Sequence, residues 1–216
     1  MLKAVIFDLD GVICSTDEYH YEAWKAMADH IGVPFDRTVN NRLRGVSRME
    51  SLEIILEQYP GQLSAAEKEA LAEQKNERYK ALLMKMSPKN LSEEVKQTLD
   101  ALRSDGLLLA IGSSSKNTPL ILRQLGLEGY FDAVADGNQI THSKPDPEVF
   151  LLAARLLGVT PEACLVVEDA VAGAEAAHAG GMKAACVGDA ARADAGEYNL
   201  ETFSQLVAVT EQMKEH

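Results

Sequence analysis

Two aspartates, Asp8 and Asp10, close the apolar run Ala4-Val5-Ile6-Phe7 and precede Gly11. Neighbouring carboxylates repel and need a metal ion, a cationic side chain or a shared proton. Three other stretches could meet that need. Gly112-Ser113-Ser114-Ser115-Lys116-Asn117 offers hydroxyls and backbone N–H groups, Lys144-Pro145 a cation, and Glu168-Asp169 a second acidic pair. Singly, each has a structural alternative: helix capping for Ser113 to Ser115, a solvated Lys144, and a helix start at Glu168-Asp169. Jointly they point to metal-assisted phosphoryl transfer. Asp8, Glu168 and Asp169 would offer Mg2+ the few hard oxygens it takes beside waters and a substrate phosphate, and the ion would screen that phosphate from the acids. Ser113 and nearby N–H groups would hold phosphate oxygens. Lys144 would set a fixed positive charge beside the transferring group.

The elements that must position these residues follow from apolar periodicity. Ala4 to Phe7, continuously apolar, reads as a buried parallel strand. Residues two apart on a strand share a side, so Asp8 and Asp10 project together at its end. Open α/β sheets bind ligands at that edge. Residues from about 16 to 85 read as helix only, with capping boxes at Ser15/Glu18, Ser47/Glu50 and Ser64/Glu67. Ala23, Trp24, Met27 and Ile31 line the first helix, which ends at Gly32. Leu52, Ile55, Leu56 and Tyr59 line the second, which stops at Pro60-Gly61. Leu71, Arg78, Tyr79, Leu82, Leu83 and Met86 lie near one stripe of a long third. Lys75 falls on that stripe, either snorkelling to solvent or presenting its ammonium for recognition. A helical block placed directly after the first strand reads as a lid over that strand's end.

Beyond about residue 90 helix and strand alternate. Strands are expected at Leu107 to Ile111, Phe131 to Ala135, Leu165 to Val167 and Ala184 to Val187. Repeated βα units predict a mostly parallel sheet with helices on both faces. The expected architecture is α/β: a Rossmann-like core domain at 1–15 and 88–216, with an α-helical cap domain inserted at 16–87.

Composition sets the class. The 216 residues are 46% hydrophobic and 25% charged, ordinary for a globular enzyme. A net charge of −12 argues against nucleic acid, which demands clustered Lys and Arg. Cys14, Cys164 and Cys186 lack CxxC spacing, so neither a zinc site nor a disulfide framework is expected. Cys14 reads as a small buried thiol. No signal peptide is visible and no apolar run approaches the ~18 residues of a membrane span, so a cytoplasmic protein is expected.

Asp8-x-Asp10-Gly11-Val12, Ser113, Lys144-Pro145 and Glu168-Asp169 resemble the four motifs of the haloacid dehalogenase superfamily. Further stretches are similar to the sugar-phosphate mutases within it. These are Thr16-Asp17-Glu18-Tyr19-His20, Ala23-Trp24-Lys25, Gly45-Val46-Ser47-Arg48, Lys75-Asn76 and Ser115-Lys116-Asn117. The resemblance covers nearly the whole chain and thins after about residue 188. It departs at Leu91 to Val95, where relatives commonly carry a Pro-Gly turn, and around Val33-Pro34-Phe35, where the loop is slightly short.

The resemblance implies roles. Asp8 would be the nucleophile, forming an aspartyl-phosphate, and a metal ligand. Asp10 would be the general acid and base and would bind Mg2+ through its carbonyl. Glu168 and Asp169 would complete the metal set. Substrate would meet Asp10, Thr16, His20, Trp24, Gly45, Val46, Arg48, Lys75, Ser113, Ser114, Ser115, Lys116, Asn117 and Lys144. Arg48 would grip the phosphate distal to Mg2+, and His20 would report closure of the lid. The implied reaction interconverts β-glucose 1-phosphate and glucose 6-phosphate, with β-glucose 1,6-bisphosphate as intermediate and activator. A sugar-phosphate phosphatase of the same fold and a non-catalytic sugar-phosphate sensor are the alternatives. The expected partner is a small sugar phosphate, bound by a monomer.

Overall fold

The computed structural model describes residues 1–43 and 46–215. The chain divides into two compact units, Met1–Ser15 with Ser87–His216, and Thr16–Met86. In chain order, β1 (Ala4–Phe7) leads into α1 (Asp17–His30), α2 (Arg37–Asn41), α3 (Arg48–Leu56) and α4 (Ala65–Leu83). Next come α5 (Glu93–Ser104), β2 (Leu108–Gly112), α6 (Thr118–Gln124), β3 (Ala133–Ala135), α7 (Glu148–Leu157), β4 (Cys164–Glu168) and α8 (Val171–Ala179). The chain finishes with β5 (Lys183–Cys186), α9 (Gly188–Arg192), β6 (Tyr198–Asn199) and α10 (Leu206–Glu215).

The six strands form one parallel sheet in the order β3-β2-β1-β4-β5-β6. This is the doubly wound arrangement, and its crevice opens where the strand order reverses, at β1. Phe7 pairs with Ile111 on one side and Val167 on the other. Asp8, Gly112 and Glu168 therefore follow in adjacent rows at one edge. Ile6, Ala110 and Val166 bury one sheet face against Val149 and Phe150 of α7 and Ala174 and Ala177 of α8. Gly112 has no side chain because a Cβ there would lie 2.7 Å from the Phe150 ring. The small residues of α8 let that helix sit close to the sheet, which fixes where Glu168 and Asp169 emerge.

Helix α5 begins without a Pro-Gly turn because Ser92 does the work. Its Oγ accepts the Val95 N–H at 3.1 Å, a cap worth about 1 kcal/mol. Strand β3 is shorter than the apolar run suggests, since Asp132 Oδ2 accepts the Leu109 N–H and interrupts the ladder. Two short elements, α9 and β6, occupy residues 188–200.

In the helical unit, Trp24, Met27 and Ala28 of α1 pack with Leu52 and Ile55 of α3 and Ala72 of α4. The boxes at Ser47/Glu50 and Ser64/Glu67 are present, each closed in both directions. The expected box at Ser15/Glu18 is not. Helix α1 starts from Thr16, which makes no side-chain cap bond, and Glu18 is taken by the Arg37 guanidinium at 2.7 Å on both oxygens. The unit also holds α2, capped by Asp36, which apolar periodicity alone did not reveal. The buried face of α4 carries Ala72, Lys75, Asn76, Tyr79, Leu82 and Leu83, while Arg78 is exposed rather than on the stripe. Among the described residues no helix is long and apolar enough to cross a membrane.

Candidate active site

At the C-terminal edge of the sheet, the ends of β1 and β4 and the loop before α7 bring charged groups to one place. Asp8 extends β1 by one residue, its N–H donating to the Val167 carbonyl at 2.9 Å. Lys144 Nζ lies 2.5 Å from Asp8 Oδ1 and 2.5 Å from Glu168 Oε1. All three side chains are nearly enclosed, Glu168 most fully at 1% exposure. Glu168 Oε2 accepts the N–H groups of Asp169 and Ala170, each at 3.0 Å. A Cβ on Gly173 would lie 2.0 Å from the Glu168 carboxyl, so the first turn of α8 must carry glycine there. Asp169 lies against Gly11, where a Cβ would meet its Oδ2 at 2.1 Å and φ is +86°. Glycine alone combines that conformation with that clearance.

The electrostatics follow from burial. Burial pushes the Asp8 carboxyl well above the usual carboxylate range; Lys144 opposes this, while Glu168 and Asp10 add to it. Burial works against the Lys144 ammonium, but Asp8 and Glu168 outweigh it and hold it protonated. The buried Cys14 thiol is pushed up by burial first and then by Asp10 and Asp8. It packs beside the acids as an inert group. Four carboxylates, Asp8, Asp10, Glu168 and Asp169, thus accompany Lys144 here. That acid excess, made of hard oxygens, fits a divalent cation. Lys144 takes one oxygen of Asp8 and one of Glu168, and main-chain N–H groups take the other oxygen of Glu168.

The loop after β2 gathers hydroxyls and main-chain N–H groups. The Ser113 N–H donates to the Ala135 carbonyl at 3.0 Å, and Ser113 Oγ accepts the Ser115 N–H at 3.2 Å. As an acceptor there, the Ser113 hydroxyl keeps its proton for an incoming oxygen. Ser115 Oγ accepts the Asn117 N–H, and the Ser115 carbonyl accepts from Thr118 Oγ1. Ser114 Oγ is enclosed without a partner among the described residues. An enclosed hydroxyl without a partner is costly unless a ligand answers it. Asn117 is buried and Lys116 exposed. Gly137, which sequence reading missed, supports this loop from behind. Its Cβ would lie 2.2 Å from the Ser114 carbonyl oxygen, and its N–H donates to the Ser115 carbonyl at 3.2 Å.

The helical unit gathers a second set. Lys75 is buried, so its ammonium does not snorkel. It lies 2.9 Å from His20 Nδ1, 4.6 Å above the Trp24 ring and 4.7 Å above the Tyr79 ring. Burial holds the His20 imidazole well below its usual value, with Lys75 and Arg48 adding to the effect. A neutral ring with Nδ1 accepting from Lys75 follows. His20 stacks on Tyr79 at 4.1 Å. Arg48 donates to Asn76 Oδ1 at 3.0 Å, and Trp24 is part of the unit's core. Thr16 is buried at the start of α1, and Val46 is exposed. Gly45 lies outside the described residues.

A twisted parallel sheet with an aspartate at the end of β1, a serine loop after β2 and a lysine facing a glutamate defines a class. The haloacid dehalogenase-like hydrolase family matches residues 2–181, and this chain belongs to that family. Within it, the chain is similar to the β-phosphoglucomutase of Bacillus subtilis, 45% identical over 190 residues, 87% of this chain and 84% of that protein. It is also similar to a phosphorylated carbohydrates phosphatase of Thermotoga maritima, 33% identical over 84% of this chain and 83% of that one. The crystal structure of a β-phosphoglucomutase from Clostridium difficile superposes with a TM-score of 0.91 at 35% identity, covering 100% of this chain and 98% of that one.

Proposed function

We propose that this chain is a Mg2+-dependent β-phosphoglucomutase, interconverting β-glucose 1-phosphate and glucose 6-phosphate. The observation that carries the reading is the buried Lys144 bridging Asp8 and Glu168 beside the Ser113 loop. It brings a carboxylate and a fixed cation to the sheet edge that also carries the Ser113 hydroxyl, which supports a nucleophile and an anion-binding group there. The similarity to β-phosphoglucomutases supports the choice of substrate.

Asp8 attacks phosphorus and becomes an aspartyl-phosphate, a mixed anhydride reactive enough to pass the group on. Phospho-Asp8 gives its phosphoryl group to the 6-hydroxyl of β-glucose 1-phosphate, and Asp10 takes the hydroxyl proton. The resulting β-glucose 1,6-bisphosphate turns over. Asp8 then removes the 1-phosphate while Asp10 returns the proton to the departing sugar oxygen, leaving glucose 6-phosphate. Lys144 and Ser113 stabilise the transferring group throughout. Asp8, Glu168, Asp169 and the Asp10 carbonyl would hold Mg2+, which would offset the acid charge and orient the phosphoryl oxygens.

The helical unit carries groups suited to sugar-phosphate recognition. Lys75, His20 and Asn76 match sugar hydroxyls. Arg48 matches the second phosphate, whose two oxygens a planar guanidinium can grip. A sugar-phosphate phosphatase is the second reading, supported by the 33% identity to one.

The test is to incubate the protein with Mg2+, β-glucose 1-phosphate and a trace of β-glucose 1,6-bisphosphate. Glucose 6-phosphate and inorganic phosphate are then followed together. Glucose 6-phosphate should dominate. Phosphate release matching substrate loss would make the protein a phosphatase, and binding without either product a sensor.

A further inference from the structure

The loop that carries Lys144 is tied down by a side chain outside the acidic cluster. Glu148, the first residue of α7, accepts the Thr141 N–H on both carboxylate oxygens at 3.0 Å and the His142 N–H on Oε2 at 2.7 Å. The His142 ring lies 3.2 Å from the same oxygen. On the other side of Lys144, Asp146 Oδ1 accepts the Glu148 N–H at 2.9 Å, and the Asp146 N–H donates to the Ser143 carbonyl at 3.1 Å. Lys144 therefore sits between two segments, 141–142 and 146, that are both bonded to one residue. Its side chain then passes over Phe150, with Nζ 4.6 Å from the ring centroid. Phe150 is fully buried and immobilised against Gly112, two residues along the same helix from Glu148.

We propose that Glu148 is a positioning residue for Lys144. It fixes the main chain on which the ammonium is carried to Asp8 and Glu168. The alternative use of His142, Asp146 and Glu148 as a cation site fits less well, because the Glu148 oxygens are committed to main-chain N–H groups. An anchor of this kind matters because reaction geometry is steep. A misplacement of about 1 Å can cost on the order of 100-fold in rate. The inference rests on the reading of Lys144 as the charge beside the transferring phosphoryl group.

The test measures kcat and KM for total phosphoryl turnover, counting glucose 6-phosphate and inorganic phosphate together. A phosphatase outcome then leaves the test intact. Glu148→Ala should lower kcat by about 10- to 100-fold with KM changed by less than about threefold. Glu148→Gln, whose carbonyl oxygen still accepts the His142 N–H, should recover most of that loss. In a Lys144→Ala background, Glu148→Ala should cost nothing further, because its effect acts through the missing ammonium. The proposal is overturned if Glu148→Ala keeps kcat within about twofold of the parent. The same fold-loss in both backgrounds, or a Gln variant no better than Ala, would also overturn it. Should Lys144→Ala turn over too slowly to measure, the kcat-against-KM split and the Gln rescue decide alone.

Discussion

Gly173→Ala is a test in which two effects of opposite sign compete at one methyl group. Gly173 lies inside α8, where alanine is favoured over glycine by about 1 kcal/mol. The new Cβ would sit 2.0 Å from Glu168 Cδ and Oε1 and 2.5 Å from Oε2. Carbon contacts are comfortable near 3.5–4.0 Å, so the carboxylate must retreat by roughly 1.5 Å. Retreat breaks its 2.5 Å bond to Lys144 and its two 3.0 Å bonds to the Asp169 and Ala170 N–H groups. Hydrogen bonds to a charged group contribute about 1.5–3 kcal/mol each. The loss outweighs the helix gain and leaves a net cost of about 3.5–8 kcal/mol. For a chain of this size that is a fall in Tm of roughly 10 °C or more. Turnover should fall at least ~100-fold, because Lys144 loses one of its two anchors. Thermal unfolding by circular dichroism and kcat at 25 °C would check both. In a Glu168→Ala background the same substitution should become neutral or stabilising, since nothing is left to strike. A Gly173→Ala protein as stable and active as the parent would refute this account of the glutamate.

Gly137→Ala would drive a Cβ to 2.2 Å from the Ser114 carbonyl oxygen, main chain that cannot step aside. KM for β-glucose 1-phosphate should rise by about tenfold or more, and an unchanged KM would contradict the role given to that loop. His20 is held neutral by burial, with Lys75 and Arg48 adding to the effect. The unfolded chain therefore takes the proton first. Stability of the helical unit is full above about pH 6.5 and declines as pH falls toward the folded value, at up to ~1.4 kcal/mol per pH unit. Denaturation followed through Trp24 fluorescence at pH 7.5 and 5.5 should show this loss, and His20→Phe should reduce it; equal losses in both proteins would count against it. Chelation with EDTA should abolish turnover and added Mg2+ restore it, whereas turnover surviving chelation would exclude the metal set.

Much of the sheet unit was legible because its signals are strong and local. Ala4 to Phe7 and Leu165 to Val167 are continuous apolar runs, and parallel strands covered on both faces must be. The polar residues that stop each run mark one edge, which is why Asp8, Ser113 and Glu168 group together from the sequence alone. Lys144 was harder, since it comes from a loop; its partnership with Glu168 depends on register. Gly137 and Gly173 went unread, and Gly11 stood out only as a turn and a motif residue. Gly11, Gly137 and Gly173 matter for what approaches them, Asp169, the Ser114 carbonyl and Glu168, and close approach leaves no periodic trace. Helix α1 shows the opposite failure: Ser15-x-x-Glu18 has the form of a capping box, yet Arg37, nineteen residues beyond Glu18, takes its carboxylate. Local pattern lost to a bidentate ion pair. For Arg78, a stripe drawn from Leu71 to Met86 was one residue too wide, because Asn76 fills the buried face instead.

The most direct test of the central claim is to find where the phosphoryl group rests. Protein mixed with Mg2+ and 32P-labelled β-glucose 1,6-bisphosphate would be quenched in acid within one turnover, digested and sequenced by mass spectrometry. The label should lie on Asp8, and Asp8→Asn should acquire none while still folding. Label on any other residue, or full turnover by Asp8→Asn, would contradict the account.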